Sequence, residues 1–364
     1  MSRSAAQNLL FPPLGHCGPE FHLCHVTDPY WSGVAVRFPG FRWSTAACAA
    51  CALAVAVLAA GCSVAATATP VAPPPEQADI AVDVFPTIDF AGLYIAQMDG
   101  LFKRQGLNVT IRFAPAGQLA VTSVLNGTSD IAGTDYVTYV NNELNGNARL
   151  RIIAEASSLQ PHQLEMLVSA HSRITSLAGL RRHTIGVTAP NDIGTLLVRA
   201  LLAENDVSAD LVNIRFGFQL LNVAGQVSAG QADAAPIPEP FATEGEQQFG
   251  LQELADVDQG VTTNFPLDGY AVSQAWAQKN PRTAAAFDRA LTEAQQIADT
   301  DRAAVEAAAE KFLGITPETA AAINLPGFPL SVAPAQLQRV VDAMVQFGML
   351  PPTDISFKIT KMTG

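Results

Sequence analysis

Residues 80–115 read IAVDVFPTIDFAGLYIAQMDGLFKRQGLNVTIRFAP and contain a strand, a helix and a second strand in that order. The segment 80–85 alternates apolar and polar side chains and ends at Pro86, which is typical of a strand. Residues 91–106 repeat apolar side chains at helical spacing, and residues 108–115 are rich in β-branched side chains. This order is typical of a mostly parallel sheet with helices on its faces.

The same alternation continues along the chain and then starts again. Strands are predicted at 131–136, 150–156, 163–170, 184–187, 212–217 and 232–237, and helices at 118–127, 191–206, 222–230 and 281–313. Two such runs predict an α/β protein of two lobes, each with a mostly parallel sheet flanked by helices and with a ligand cleft between the lobes. We assign residues 79–168 and 270–364 to lobe one and residues 169–269 to lobe two.

Composition excludes several classes of function. The chain of 364 residues has a formal net charge of −12, which argues against binding to nucleic acid, because phosphates require clustered Lys and Arg. All five cysteines lie within the first 62 residues. The body of the protein therefore has no disulfide, cysteine-ligated zinc or cysteine nucleophile.

The amino-terminal region has the organisation of an export signal. Residues 37–62 begin with two arginines, continue as an uncharged apolar run and end in Leu-Ala-Ala-Gly-Cys, which resembles a bacterial lipobox. The resemblance implies a signal peptide, a lipid on Cys62 and an exported protein anchored at the extracytoplasmic face of the membrane; the alternative is an uncleaved membrane anchor. Residues 63–78 are a Pro, Ala and Thr tether, and residues 1–36 are an extension upstream of the true start.

Four segments of the body, in consistent order, resemble one family of proteins. They are FPTIDFAGLYIAQMDGLFKRQGLNVTI (85–111), VLNGTSDIAGTDYV (124–137), SLAGLRRHTIGVTAPNDIGT (176–195) and PEPF (238–241). They resemble the periplasmic solute-binding proteins of importers for thiamine-pyrimidine precursors, alkanesulfonates and nitrate. The resemblance implies a type II periplasmic-binding-protein fold that closes by hinge motion around a solute. It also implies a monomeric lipoprotein that delivers its solute to an ABC transporter permease and ATPase, without a cofactor and without enzymatic activity.

The cleft of such a fold is predicted where loops leave the carboxyl ends of strands and helices begin. Glycines there let backbone N–H groups approach a solute. The predicted ligand-binding residues are Pro86, Thr87, Asp89, Phe90, Tyr94, Gly117, Gln118, Thr134, Asp135, Tyr136, Asn191, Asp192, Gly194, Thr195, Glu239 and Tyr270. Each has a structural alternative: Asp192 caps its helix, Asp135 makes a turn, and the aromatic rings belong to the core.

Charge narrows the predicted solute. The predicted residues include four carboxylates and no Lys or Arg, whereas an anion usually meets a positive partner or several N–H donors. A planar, neutral or cationic nitrogen heterocycle, such as a thiamine pyrimidine precursor, is therefore the leading solute, stacked on the aromatic rings. The thiamine-precursor branch commonly has Asn where Thr87 stands and His where Phe90 stands. A sulfonate, nitrate or related oxyanion remains the alternative.

Catalytic and metal-binding patterns are missing from the body of the sequence. Its three histidines, His162, His171 and His183, show no metal-ligand spacing, and the nucleophile-elbow and phosphate-loop motifs are absent. No catalytic residue, metal or cofactor is predicted. The further alternative is an enzyme of the same fold that makes the pyrimidine precursor, although such enzymes are cytosolic and carry no export signal.

Overall fold

The computed structural model describes residues 73–144, 149–331 and 333–352. Cys62, the predicted signal peptide, the upstream extension and most of the tether lie outside these residues. Residues 71–364 form one compact unit, which contains two sheets of five strands. No helix in the described ranges combines the length and apolar character needed to cross a membrane.

Lobe one is built on the sheet with the strand order β2-β1-β3-β10-β4. Four of its strands run in the same direction, and β10 runs antiparallel between β3 and β4. The strands are β1 (Asp79–Val84), β2 (Asn108–Phe113), β3 (Ile131–Asp135), β4 (Leu150–Ser158) and β10 (Pro266–Ser273). The helices between them are α1 (Ala91–Met98), α2 (Leu101–Arg104), α3 (Gly117–Leu125) and α4 (Tyr136–Leu144).

Lobe two repeats this arrangement with the strand order β7-β6-β8-β5-β9. Again four strands share one direction, and β5 runs antiparallel between β8 and β9. The strands are β5 (Leu164–Val168), β6 (Thr184–Gly186), β7 (Asn213–Arg215), β8 (Ala234–Pro238) and β9 (Gln252–Asp256). The helices are α5 (Ile193–Glu204), α6 (Val223–Ser228) and α7 (Phe241–Phe249). The predicted α/β architecture with two mostly parallel sheets is confirmed.

The strand pairing moves both predicted lobe boundaries. The strand β5, which the boundary at residue 168 placed in lobe one, pairs with β8 and β9 of lobe two. The strand β10 begins at Pro266 and pairs with β3 and β4, so the return to lobe one precedes residue 270. Both errors have one cause: a strand that enters a sheet antiparallel is read from the sequence as the end of one run or the start of the next.

Helices after β10 complete lobe one and reach across to lobe two. They are α8 (Gln274–Lys279), α9 (Pro281–Thr300), α10 (Arg302–Leu313), α11 (Pro317–Ala322) and α12 (Pro334–Gln346). The helices α9 and α10 pack on α1 of lobe one, while α12 contacts both α4 and α5. The apolar stripe of α12, which includes Leu337, Val341 and Met344, is buried in a cluster shared by both lobes. The tail therefore belongs to lobe one only in part.

Candidate functional site

A cavity of about 660 Å³ lies where the two sheets face each other. Lobe one lines it with the loops that follow β1 and β2, the end of β3 and the start of α4, and lobe two lines it with the loops that follow β6 and β7 and with the end of β8. The amino ends of β5 and β10 also reach it, because these strands run antiparallel to their neighbours. The cleft thus follows the rule that ligands bind outside the carboxyl ends of parallel strands.

A second cavity, of about 470 Å³, lies between α5 and the end of α12. It is lined by Arg199, Asp206 and Phe347, among other residues, and none of its lining comes from lobe-one strand loops. We take the cleft between the sheets as the candidate site, because only there do loops of both lobes converge on one space.

Half of the predicted ligand-binding residues line this cleft. Those that line it are Thr87, Asp89, Gly117, Gln118, Asp135, Asn191, Asp192 and Gly194. Those that do not line it are Pro86, Phe90, Tyr94, Thr134, Tyr136, Thr195, Glu239 and Tyr270. The structure therefore brings together the loops that the sequence indicated, but it turns many of their larger side chains away from the cleft.

The four predicted aromatic residues lie in the lobe-one core instead of the cleft. Phe90, Tyr94, Tyr136 and Tyr270 are each at most 1% exposed. The Phe90 and Tyr270 rings meet edge to face with centroids 5.7 Å apart, and Tyr94 stacks on a ring of α10 at 5.0 Å. The predicted stacking of a solute on these rings is wrong. Phe90 and Tyr94 follow β1 and Tyr136 follows β3, whereas Tyr270 lies within β10; these positions did not reveal that all four side chains are buried.

Glu239 also has a structural role. It is 1% exposed and accepts hydrogen bonds from the backbone N–H and the hydroxyl of Thr243, at 3.1 and 2.8 Å. The backbone N–H of Asn324 donates to the same carboxylate at 3.0 Å. Glu239 therefore joins α7 of lobe two to the chain after α11, and it does not face a solute.

Asp135 caps the helix that begins beside it. Its carboxylate accepts from the backbone N–H of Thr138 at 2.8 Å and from the Thr138 hydroxyl at 2.7 Å. The hydroxyl of Thr134 donates to it at 3.2 Å, which explains why Thr134 itself does not line the cleft. Burial raises the pKa of Asp135 to about 6, and the nearby charge of Asp192 adds to the rise.

Asp192 of lobe two, like Asp135 of lobe one, lies at the amino end of a helix. Its carboxylate accepts from the backbone N–H groups of Thr195 and Ala189, both at 2.9 Å, and from the hydroxyl of Thr188 at 2.6 Å. It therefore caps α5, as the structural alternative expected. The amino end of α5 is already occupied by a carboxylate of the same chain, which removes the usual attraction of a helix end for an anionic solute.

The floor of the cleft holds a second group of carboxyls, one of which the sequence analysis missed. Asp89 and Asp268 are 4% and 8% exposed, and both line the cavity. The Ser157 hydroxyl donates to Asp268 Oδ2 at 3.4 Å, and the nearby hydroxyls of Thr87 and Ser157 favour the ionised form of Asp89. Burial raises the pKa of both carboxyls, and for Asp268 the charges of Asp89 and Asp135 raise it further. Asp268 was missed because it lies near the start of an antiparallel strand, whereas the prediction considered only the carboxyl ends of strands.

Gln163 completes this floor and was also missed. Its side-chain amide donates from Nε2 to Asp89 Oδ1 at 3.1 Å. Its Oε1 is buried and has no hydrogen-bond partner among the described residues.

Two aromatic rings do line the cavity, and both come from loops after strands. Phe85 directly follows β1, and Phe218 lies shortly after β7. The same strand-end rule that selected Thr87 would have found both rings.

The described residues that line the cleft include four aspartates and no Lys, Arg or His. The lobes meet across it through a hydrogen bond from Asn141 Nδ2 to the carbonyl of Asn191, at 2.8 Å. Its chemistry is that of a narrow space with buried carboxyl groups on one side and loop backbone on the other. Such a site suits a solute that brings hydrogen-bond donors or positive charge.

A separate cluster of possible metal ligands lies outside this cleft. His162 Nδ1 is 3.1 Å from Glu165 Oε1 and 3.3 Å from Glu253 Oε2. The prediction that no histidine of the body is paired with an acid at metal-ligand spacing is wrong for His162, because Glu165 follows it by three residues. Burial raises the pKa of Glu165 to about 7, with Glu253 and Glu246 raising it further.

Comparisons with known proteins agree with this architecture. A family model described as NMT1/THI5 like matches residues 87–304. The protein YtlA of Bacillus subtilis (strain 168), named as a candidate binding protein, is 26% identical over 221 residues, which cover 59% of this chain. The aligned region spans 64% of the length of YtlA.

Solved structures share the fold at low sequence identity. The alkanesulfonate-binding protein SsuA from Xanthomonas axonopodis pv. citri, bound to MOPS, superposes with a TM-score of 0.64 and 17% identity. The match covers 76% of this chain and 95% of SsuA. The desulfurization enzyme DSZB superposes with a TM-score of 0.59 and 16% identity, over 75% of this chain and 93% of that one. The type II periplasmic-binding-protein fold is therefore established, and it is a fold that serves both binding and catalysis.

Proposed function

The chain belongs to the NMT1/THI5-like family, and on this premise we propose that it is the solute-binding component of an ABC-type import system. The observation that carries the proposal is the cavity of about 660 Å³, which loops from both lobes line together. A site divided between two lobes couples solute binding to closure of the lobes. The protein would then present the closed, loaded form to a permease.

The solute that the cleft favours is a planar nitrogen heterocycle, neutral or cationic, such as a thiamine pyrimidine precursor. Three buried aspartates of lobe one accept hydrogen bonds, and no cationic side chain among the described cleft residues competes for them. The Phe85 and Phe218 rings provide apolar surface for a planar ring. These two rings take the place of the four aromatic residues predicted from the sequence.

An alkanesulfonate, nitrate or related oxyanion is the second candidate. The helix α3 begins at Gly117 in the cleft, and no side chain caps its amino end. Free N–H groups at such an end attract negative charge. SsuA, which shares the fold, is an alkanesulfonate-binding protein. Against this candidate stands the charge of the cleft, since an oxyanion would lie among the four aspartates.

The cellular setting is part of the same proposal. We propose that the protein is exported, carries a lipid on Cys62 and acts as a monomer beside an ABC permease and its ATPase. The resemblance of residues 37–62 to a lipoprotein signal supports the anchor. Metabolic labelling with a radioactive fatty acid tests it, because Cys62→Ala should remove the label and release the protein from the membrane fraction.

The binding role is tested by thermal unfolding of the purified full chain with a panel of solutes. The panel contains aminopyrimidines, other nitrogen heterocycles, alkanesulfonates, nitrate and bicarbonate. A solute at 100 times its dissociation constant adds about 2.7 kcal/mol to the free energy of unfolding. Stabilisation by a heterocycle alone supports the leading solute, and stabilisation by an oxyanion alone supports the second candidate.

A test of whether the solute is chemically changed distinguishes an enzyme from a binding protein. The stabilising compound is incubated with the protein, the protein is denatured, and the recovered compound is analysed by mass spectrometry. A binding protein returns it unchanged, whereas an enzyme converts it in proportion to time. Conversion, or the absence of stabilisation by every compound on the panel, contradicts the proposed role.

A further inference from the structure

The strongest unexplained feature of the cleft is a pair of buried carboxyl groups without a positive partner. Asp89, on the turn after β1, and Asp268, on β10, both line the cavity floor, and each is surrounded by neutral groups such as the Ser157 hydroxyl and the Gln163 amide. Burying a carboxylate without a counter-charge is so costly that the group holds a proton instead. In the empty protein the pair is therefore expected to be at least partly protonated.

The groups that face this pair do not supply a positive charge. From lobe one they are Asp135 on β3, Tyr94 on α1, Tyr136 and Tyr139 on α4, and Tyr270 on β10. Burial raises the pKa of each of these tyrosines well above its usual value, so they are neutral. From the crossing between the lobes comes the neutral amide of Gln163.

A second observation points to a ligand at the same place. Gln163 is fully buried, lines the cavity and donates to Asp89, but its Oε1 accepts no hydrogen bond from any described residue. Buried acceptors of this kind are nearly always satisfied in folded proteins. The floor therefore presents three acceptor groups, from Asp89, Asp268 and Gln163, whose partners among the described residues are neutral donors only, and the Gln163 Oε1 has no donor at all.

A primary ammonium group supplies what is missing, since it carries three N–H donors, a positive charge and no acceptor. We propose that Asp89, Asp268 and Gln163 form a subsite for a primary ammonium group of the solute, which enters as a cation and displaces a proton from the carboxyl pair to water. The inference rests on the proposed function and narrows its solute from nitrogen heterocycles in general to those bearing a charged amine. Charge is balanced, because one positive charge enters the site for each proton that leaves.

The test uses two probes that differ only in this group. Benzylammonium and benzyl alcohol have the same ring and the same carbon chain, and their affinities are measured by calorimetry on the purified full chain. Benzylammonium should bind at least tenfold more tightly, and its affinity should rise with pH, by up to tenfold per pH unit, over the range in which the empty carboxyl pair still holds a proton. Titration in two buffers of different ionisation enthalpy should show release of up to one proton for benzylammonium and none for benzyl alcohol.

Substitution of the two aspartates of the carboxyl pair tests whether they cause the preference for benzylammonium. Asp268→Asn and Asp89→Asn should each reduce the preference for benzylammonium over benzyl alcohol at least tenfold. Asp99→Asn removes the same formal charge from an exposed position outside the cleft, and it should leave the preference as it is. If a cleft variant fails to fold, the proton release measured on the unaltered protein still tests the ammonium subsite.

The outcomes separate this inference from the proposed function. Equal binding of the two probes, no proton release, or an Asp268→Asn variant that behaves like Asp99→Asn overturns the ammonium subsite. If neither probe binds while another compound of the solute panel does, the subsite is also overturned and the receptor role stands. If no compound of either set binds, the receptor role fails, and the subsite fails with it.

Discussion

The two walls of the cleft both use positions at or near the ends of strands, and these positions carry different chemistry. Lobe one contributes Asp89, Asp135 and Asp268, which are at most 8% exposed. In lobe two the carboxylate of Asp192 is engaged by the start of its own helix. The remaining lobe-two wall combines glycines and apolar side chains with the polar side chains of Thr188, Asn191 and Gln219. Lobe one thus lines the cleft with buried carboxyl groups, whereas the described lining of lobe two is uncharged apart from Asp192.

The apolar cores that support the two walls of the cleft also differ. Lobe one rests on a core of interlocking rings, in which Phe102 stacks on Phe287 with centroids 5.1 Å apart. The loops of lobe two rest on a smaller cluster around Leu167 and Phe218, and Leu221 at the rim is 64% exposed. The carboxyl groups of lobe one are therefore backed by a more extensive apolar core than the Phe218 loop of lobe two.

The largest expected effect lies in the lobe-one core. Phe90→Ala should lower the free energy of unfolding by about 3–5 kcal/mol, because it leaves a cavity in contact with Tyr270. Leu221→Ala, at the lobe-two rim, should change it by no more than about 0.5 kcal/mol. Urea unfolding measures both. If Phe90→Ala instead kept its stability and lost solute binding, Phe90 would be a ligand residue after all.

The second expected effect is a pH dependence of stability that arises in lobe one. Burial raises the pKa of Glu155 from 4.5 to about 7. Because the folded-state pKa exceeds the unfolded one, this group favours folding most at low pH, and that contribution is lost as the pH rises through about 7. The shift corresponds to roughly 3 kcal/mol. Glu155→Gln should therefore stabilise the protein at about pH 8 relative to the unaltered chain and have little effect near pH 4.

Glu165 of lobe two is the matched control for this pH dependence. Its pKa is also raised to about 7, but its carboxylate pairs with His162, whereas no partner offsets the burial of Glu155. Glu165→Gln removes that pairing as well as the buried charge, so its gain at about pH 8 should be smaller. Thermal unfolding of both variants across this pH range measures the difference. A larger gain for Glu165→Gln would reverse the contrast between the lobes.

The third prediction compares two glycines at the starts of cleft helices. A Cβ on Gly117 of lobe one would clash with the hydroxyl of Thr134 and would lie 3.2 Å from the Phe85 ring. A Cβ on Gly194 of lobe two would lie 3.6 Å from the Asp192 carboxylate, which is an ordinary van der Waals distance. Gly117→Ala should therefore cost about 1–3 kcal/mol, and Gly194→Ala no more than about 0.5 kcal/mol. Equal costs in thermal unfolding would show that the lobe-one wall is less firmly packed than its contacts indicate.

The smallest expected effect concerns two tyrosine hydroxyls beneath the cleft. The Tyr139 hydroxyl lies 2.6 Å from the Ala132 carbonyl and 2.9 Å from the Gly269 carbonyl, whereas the buried Tyr270 hydroxyl has no partner among the described residues. Tyr139→Phe should cost about 1 kcal/mol, and Tyr270→Phe should be neutral or slightly stabilising. A cost for Tyr270→Phe comparable to that of Tyr139→Phe, measured by urea unfolding, would mean that the Tyr270 hydroxyl is satisfied by bound water.

The sequence predicted the fold well, because alternating strands and helices leave few architectures that can bury their apolar faces. It also indicated the correct loops, since helices start where parallel strands end. It missed α7 and β9, which are short and polar, and it missed α4, although Tyr136, Val140 and Leu144 lie at helical spacing. It misplaced both lobe boundaries because antiparallel strands such as β5 carry no direction in their own side-chain pattern.

Within the site, local sequence separated positions near the cleft from those far away, but it did not separate side chains that face the cleft from those that face the core. Asp89 and Phe90 are neighbours, yet Asp89 lines the cavity and Phe90 is fully buried against Tyr270. The orientation of each depends on the packing of α1 and β10, which come from distant parts of the chain. Asp268 and Gln163 were missed for a related reason, since only the strand order shows that their strands begin at the cleft.

The sequence by itself determined that this is an acidic α/β protein of two lobes, because periodicity and composition act locally and need no partner segment. The tertiary structure decided which carboxyl groups are available to a solute. Asp192 is engaged by its own helix, Glu239 by Thr243 and Asn324, and the Asp89 and Asp268 pair remains at the floor of the cleft. The physical reason is that burial and hydrogen-bond partners set the charge and availability of a carboxyl group, and both come from residues far apart in the chain.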